Sequence, residues 1–135
     1  MDKHDIIKML QRQQINPTRQ RVDIAHLLFS RHQHLCADEV LALLNGQGAK
    51  GTVSKATVYN TLNLFARHGL LHEVRVDNTK LYYDSNTDEH HHVYNIDTGE
   101  LWDVAADAVS LVKEPNLPVG TIPVGIEVIY RVRVE

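Results

Sequence analysis

Residues 54–84 read SKATVYNTLNLFARHGLLHEVRVDNTKLYYD, and two hydrophobic periods inside this stretch decide the fold. Val58, Leu62, Phe65 and Ala66 fall on one helical stripe, with Ser54 as a good N-cap and Gly69 as the stop. From Leu71 the period shortens. Leu71 to Val76 and Lys80 to Asp84 are strand-like runs joined by the turn residues Asp77-Asn78-Thr79, so together they read as a β-hairpin. A helix followed by such a hairpin closes a winged helix, whose second helix enters the major groove while the wing lies along the backbone.

The residues upstream supply the other helices. Ile6, Ile7, Met9 and Leu10 predict a short first helix that stops before Ile15-Asn16-Pro17. Thr18 caps a second, with Val22, Ile24, Ala25, Leu27, Leu28 and Phe29 on one broad face, ending near Arg31 to Gln33. Ala37 to Leu44 reads as a third, with Asp38 and Glu39 in its first turn and Gly46 past its end. GQGAKGTV, residues 46–53, is a loop. Downstream, the link SNTDE leads into HHHVYNI, the turn Asp97-Thr98-Gly99 and ELWDVA, a second hairpin. Asp103 to Val112 predicts a brief helix, Pro115, Pro118 and Pro123 keep the next stretch irregular, and Gly125-IEVIYRVRV alternates as a strand. The fold class is α+β: an N-terminal winged helix-turn-helix over residues 1–84, followed by a small α/β dimerisation domain over 85–135. So small and apolar a terminal sheet leaves an edge and a face that a second subunit would cover, so a homodimer is expected.

Composition narrows the classes. A chain of 135 residues, 43% hydrophobic and 23% charged, holds one ordinary domain or two small ones and no large catalytic fold. Without an apolar run of about 20 residues, and with charges inside MDKHDIIKML, a membrane partner and a secretory signal are not expected, and a cytoplasmic location is. The net charge of −3 divides unevenly: residues 1–84 carry eleven Lys/Arg against eight Asp/Glu, residues 85–135 three against nine. A mildly basic half suits phosphates, and an acidic, histidine-containing half suits a cation.

Two constellations carry chemistry. On the fourth helix, Ser54, Lys55, Thr57, Tyr59, Asn60 and Asn63 offer groups for phosphates and base edges of double-stranded operator DNA, and no acidic residue lies between Ser54 and Leu71. Arg19 and Arg21 are placed to reach the backbone. The second is His90-His91-His92, with Asp84 upstream and Asp97 and Asp103 downstream. In a strand His90 and His92 share one face and His91 takes the other. Imidazoles with carboxylates favour Fe2+ or Mn2+, with Zn2+ as an occupant of the purified protein. His34 is a surface histidine that could add a fifth ligand; His4, His26, His32, His68 and His72 are left unassigned, and Cys36 is read as a small buried residue. A metal-dependent enzyme and a metal-storage or interaction module are the rival classes for the His/Asp cluster.

Taken together, NPTRQR, QHLCADEV, KATVYNTLNLF and YYDSNTDEHHHVYNIDTGEL resemble the ferric uptake regulator family over nearly the whole chain. The resemblance implies a dimeric, metal-dependent transcription regulator and no catalytic residues, with metal ligands at His34, Asp84, His90, His92 and Asp103. It also implies a departure. Relatives carry two CxxC pairs for a structural zinc, whereas this chain has Asn95 and Thr98 at the first pair, no second pair and a single cysteine, so no structural zinc held by four cysteines is expected. A further family site meets Arg131 and Ser110 here and is not assigned. Cysteine-poor members with HHH are similar to two branches. Peroxide-responsive ones tend to carry Asp at both carboxylate positions, as Asp84 and Asp103 do; there ferrous iron reacts with peroxide, oxidises a ligand histidine, with His34 and His90 as the targets, and releases a repressor from DNA. The alternative branch is haem- and iron-responsive and would bind haem at the HHH segment, with His91 as a ligand.

Overall fold

A computed structural model describes residues 1–46 and 53–135; most of the expected loop at 46–53 lies outside the described residues. The chain forms two compact units, Met1–Thr87 and Asp88–Glu135.

In the first unit the first, second and fourth helices each begin where the N-cap side chain accepts a first-turn N–H. Helix α1, Lys3–Arg12, opens on a capping box: Asp2 Oδ1 accepts the Asp5 N–H at 2.8 Å and Asp5 Oδ2 accepts the Asp2 N–H at 3.2 Å. Thr18 caps α2, Arg19–Phe29, through the Arg21 N–H. Strand β1, His34–Cys36, then runs directly into α3, Ala37–Asn45. Ser54 caps α4, Lys55–Arg67, by accepting the Thr57 N–H at 3.1 Å. Gly69, at φ 73°, ends that helix; the Gly69 N–H reaches the Ala66 carbonyl and the Leu70 N–H the Phe65 carbonyl. Ile6, Leu10, Ile24, Leu28, Val40, Val58, Leu62 and Phe65 meet in one fully buried core. Burying such a side chain contributes about 1.5–3 kcal/mol, which is why the four apolar stripes choose this packing.

The wing is the hairpin of β2, His72–Arg75, and β3, Leu81–Asp84, and β1 adds to it in the order β1-β3-β2, all antiparallel. The third strand departs from expectation. The second helix, expected to run to about Arg31 to Gln33, stops at Phe29, and His34, expected as a surface histidine, opens β1. Three residues are too few to show a period, and what makes them a strand is a partner far along the chain. The pairing continues past β3, where the Gln33 N–H donates to Ser85 Oγ at 3.0 Å and the Ser85 N–H to the Gln33 carbonyl at 2.9 Å.

In the second unit, β4, His90–Asn95, pairs antiparallel with β5, Leu101–Ala105, and parallel with β6, Ile129–Val132, in the order β5-β4-β6. The intervening turn is built by Asn95, whose Oδ1 accepts the N–H groups of Asp97 at 2.9 Å and Thr98 at 3.1 Å, and by Gly99 at φ 77°. The brief helix expected over Asp103 to Val112 is not found. Asp103 to Ala105 pair with β4, cross-strand bonding overrides local helical preference, and one 3-10 turn, Ala106–Ala108, remains. The terminal strand is likewise shorter than Gly125-IEVIYRVRV. Between Ala108 and β6, Val112, Val119 and Val124 are wholly exposed and Ile122 nearly so. Among the described residues no helix is long and apolar enough to cross a membrane.

Candidate metal centre

Within the first unit, His34 and Asp84 are directly paired across β1 and β3, so their side chains share one face of the sheet. His72, left unassigned by the sequence, pairs with Asp84 from the other side and completes a row of three. Asp84 is 1% exposed, and its Oδ1 accepts the Asn86 N–H at 2.9 Å. A buried carboxylate needs such partners, because its charge has lost water. The His34 ring stands edge-on to Tyr82, centroids 6.4 Å apart, which limits its orientation.

Within the second unit, the pleat puts His90 and His92 on one face of β4 and His91 on the other, and the pairing of His92 with Asp103 brings that carboxylate to the same face. Both Nε2 atoms lie 3.4 Å from Asp103 Oδ1, and the two rings meet edge-on with centroids 4.5 Å apart. Tautomers follow from the opposite ring edges. His90 Nδ1 sits 2.6 Å from the Asp88 carbonyl oxygen, an acceptor only, so the neutral ring carries its proton there and turns the Nε2 lone pair toward Asp103. His92 Nδ1 faces the Glu127 carboxylate at 3.8 Å. His91 is arranged in reverse: its Nδ1 accepts the Val128 N–H at 3.0 Å, which puts the proton on Nε2.

The His90 Nε2 lone pair, the Nε2 edge of His92 and an anionic oxygen therefore converge. Acceptors facing one another at this distance are stabilised by a cation between them or by a proton on a ring. Donor atoms bound at about 2.0–2.2 Å to one ion stand about 3–3.4 Å from each other, so the two 3.4 Å spacings to Asp103 fit a metal of the Fe, Mn or Zn type. His91, buried and bonded through Nδ1 on the far face, stands apart from this cluster, and its arrangement gives the haem alternative no support. Asp97 is elsewhere, accepting the Val134 N–H at 2.8 Å. Asn95 caps the turn, and Thr98 Oγ1 accepts the Glu100 N–H at 3.3 Å. Glu127 escaped the sequence reading because it lies outside any motif, and His72 because only the sheet brings it beside Asp84.

On α4, Ser54, Lys55, Tyr59 and Asn60 are exposed, while Thr57 is half-buried and shares a hydrogen bond of 2.9 Å with Ser54. Lys55 Nζ lies 5.8 Å from the Tyr59 ring centroid and 3.7 Å from Asp38. Asn63 has a structural task, since its Oδ1 accepts the Tyr83 hydroxyl at 2.9 Å and ties α4 to the wing. Burial raises the Tyr83 phenol above its ordinary range, aided by the charges of Glu73 and Tyr59. Arg19 is exposed beside Asp23, but Arg21 is half-buried and donates to the Asn16 carbonyl at 3.0 Å. Cys36 is half-buried at the N-cap of α3, and burial pushes its thiol up, away from reactive thiolate.

Residues 12–118 match the Ferric uptake regulator family. The peroxide-responsive repressors PerR of Staphylococcus epidermidis and Staphylococcus aureus are 31% and 32% identical to the chain over 97 residues, which is 72% of this chain and 63% and 64% of theirs. The chain thus spans less than two thirds of the length of these relatives. Among solved structures, the ferric uptake regulator of Pseudomonas aeruginosa with manganese superposes at a TM-score of 0.70 with 23% identity, over 95% of this chain and 96% of that one, a likeness of fold. The match across most of the sequence, joined to the winged unit and the histidine-bearing sheet, makes this chain a member of the ferric uptake regulator family.

Proposed function

We propose that the chain is a metal-dependent, DNA-binding transcription repressor that reports peroxide or iron. The observation that carries this reading is the convergence of His90 Nε2 and His92 Nε2 on one oxygen of Asp103, with the His90 tautomer set by the Asp88 carbonyl. The proposed ligand set is His34, Asp84, His90, His92 and Asp103, holding Fe2+ or Mn2+. Two carboxylates among three imidazoles make the donor set harder than that of a typical zinc site. Ferrous iron bound there would supply peroxide reduction next to ring carbons, and the all-aspartate carboxylates and the PerR relatives favour peroxide as the signal. The chain's own residues hold the donor geometry. Asp88 orients His90, the β4–β5 pairing sets Asp103 opposite His92, and Asn86 secures Asp84.

The DNA side of the proposal rests on α4. Its first two turns present Ser54, Lys55, Tyr59 and Asn60 with no acidic residue on the helix itself, Asp38 of α3 lying 3.7 Å from Lys55, a surface suited to phosphates and base edges. Thr57 and Arg19 add to it, whereas the half-buried Arg21 contributes by shaping the start of α2. A homodimer is proposed through the second unit, whose segment from Leu111 to Ile126 exposes seven large apolar side chains, more than an isolated subunit ordinarily leaves in water. The match to the Ferric uptake regulator family and the likeness to peroxide-responsive repressors favour a regulator over the rival catalytic reading of the cluster.

The test is retention of operator DNA by the purified chain with Mn2+, with Fe2+ under anaerobic conditions and with chelator, repeated after peroxide. Metal should promote retention, and peroxide should abolish it with Fe2+ and not with Mn2+. Equal retention in every state would overturn the sensor reading.

A further inference from the structure

A histidine that binds a cation through Nε2 must keep its proton on Nδ1, and the group facing Nδ1 decides whether it does. For His90 that group is a backbone carbonyl. For His92, whose side chain is completely buried, it is a side chain: Glu127 Oε1 stands 3.8 Å from Nδ1. Glu127 precedes β6, and its neighbour Val128 is fixed on both sides of its own residue. The Val128 N–H donates to His91 Nδ1 at 3.0 Å, and its carbonyl accepts the His92 N–H at 3.1 Å. These bonds bring the Glu127 carboxylate to the edge of the His92 ring opposite the one that faces Asp103.

We propose that Glu127 is a positioning residue for His92: its carboxylate accepts the Nδ1 proton and so directs the Nε2 lone pair toward Asp103. The inference rests on the reading of His92 as a metal ligand. Glu127 faces the ring edge away from Asp103, so it acts through His92 and is not a ligand of the same ion. The 3.8 Å separation is longer than the ~2.7–2.9 Å of a charge-assisted hydrogen bond, and a third-exposed glutamate has the rotamer freedom to close it. A carboxylate on the far nitrogen fixes the tautomer and makes the near one a stronger donor.

Two measurements on the full chain test this. In the metal-free, 15N-labelled protein, two-bond 1H–15N correlations report which His92 nitrogen bears the proton. Nδ1 is expected in the wild type and in Glu127→Gln, whose amide oxygen still accepts, and a shift toward Nε2–H is expected in Glu127→Ala. Titration with Mn2+ should show Glu127→Ala weaker by about 10–100-fold, Glu127→Gln within a few-fold of wild type, and His92→Ala without binding at this site. The proposal is overturned, with the metal reading intact, if Glu127→Ala keeps both the wild-type tautomer and the wild-type affinity while His92→Ala loses Mn2+. Equal weakening in the Ala and Gln variants with an unchanged tautomer also overturns it, since packing or net charge would then be the cause. Wild-type Mn2+ binding by His92→Ala overturns the metal reading itself.

Discussion

Asp103→Asn keeps the shape of the side chain and removes one unit of charge from the point where both imidazoles converge, 3.4 Å from each Nε2. Screened as by bulk water, a carboxylate about 2.1 Å from a dication is held by about 4 kcal/mol. Asp103 is 48% exposed and gives up hydration on binding, which offsets part of this and leaves about 2.7 kcal/mol, or about 100-fold in affinity. The loss should be visible in stability. At a free Mn2+ concentration about 100 times the wild-type Kd, binding stabilises the folded chain by about 2.7 kcal/mol, and a 100-fold weaker variant retains about 0.4 kcal/mol. The difference of about 2.3 kcal/mol corresponds to a Tm lower by about 7–11 °C for a chain of this size. Thermal melts of both proteins with Mn2+ and with chelator read this directly, and with chelator the two should coincide to within a few degrees. If Asp103→Asn melts with Mn2+ as the wild type does, Asp103 is an ordinary surface partner of two histidines and the convergence argument fails.

Further outcomes follow from other parts of the molecule. Tyr59→Ala, at an exposed position on α4, should lower the preference for an operator over random DNA by about 1–3 kcal/mol in competition binding; a uniform loss across sequences would make Tyr59 a backbone contact. Tyr83→Phe should cost about 1 kcal/mol in urea melts near neutral pH, through loss of the hydroxyl's bond to Asn63. Because burial, then Glu73 and Tyr59, hold the folded Tyr83 phenol above the unfolded value near 10.0, the folded chain keeps that proton more tightly, and stability declines as pH rises past that value; this slope should be shallower in Tyr83→Phe. Val112→Lys with Val124→Lys, both on fully exposed positions, should turn a dimer into monomer in sedimentation, and an unchanged dimer would place the interface elsewhere. Peptide mass analysis after peroxide should find one added oxygen on His90 or His34 in the Fe2+-loaded chain and none with Mn2+.

Local patterns made the winged helix legible before any coordinates. Thr18 and Ser54 are short polar side chains ahead of apolar stripes, and each accepts a helix N–H in the structure, whereas the Asp2 cap of α1 was not read. Leu71 to Val76 and Lys80 to Asp84 are strand-like runs around turn residues and read as a hairpin, which the pairing bears out, and the alternation of His90, His91 and His92 already divided them between two faces. All of this is information carried within a few residues, where backbone geometry ties spacing to direction. Three things depended on contacts between residues far apart in sequence. His34 became a strand residue opposite Asp84 because β3 offered a free edge, and that pairing is invisible in the three residues of β1. The helix expected over Asp103 to Val112 lost to the ladder with β4, whose cross-strand bonds outweigh a weak local propensity. Glu127 came to face His92 only because the parallel β4–β6 pairing sets Val128 beside His91 and His92. The amino-acid order thus determined the elements and the candidate ligands, whereas the order of strands in the sheets decided what the rings of His91 and His92 face, because those neighbours lie more than thirty residues away along the chain.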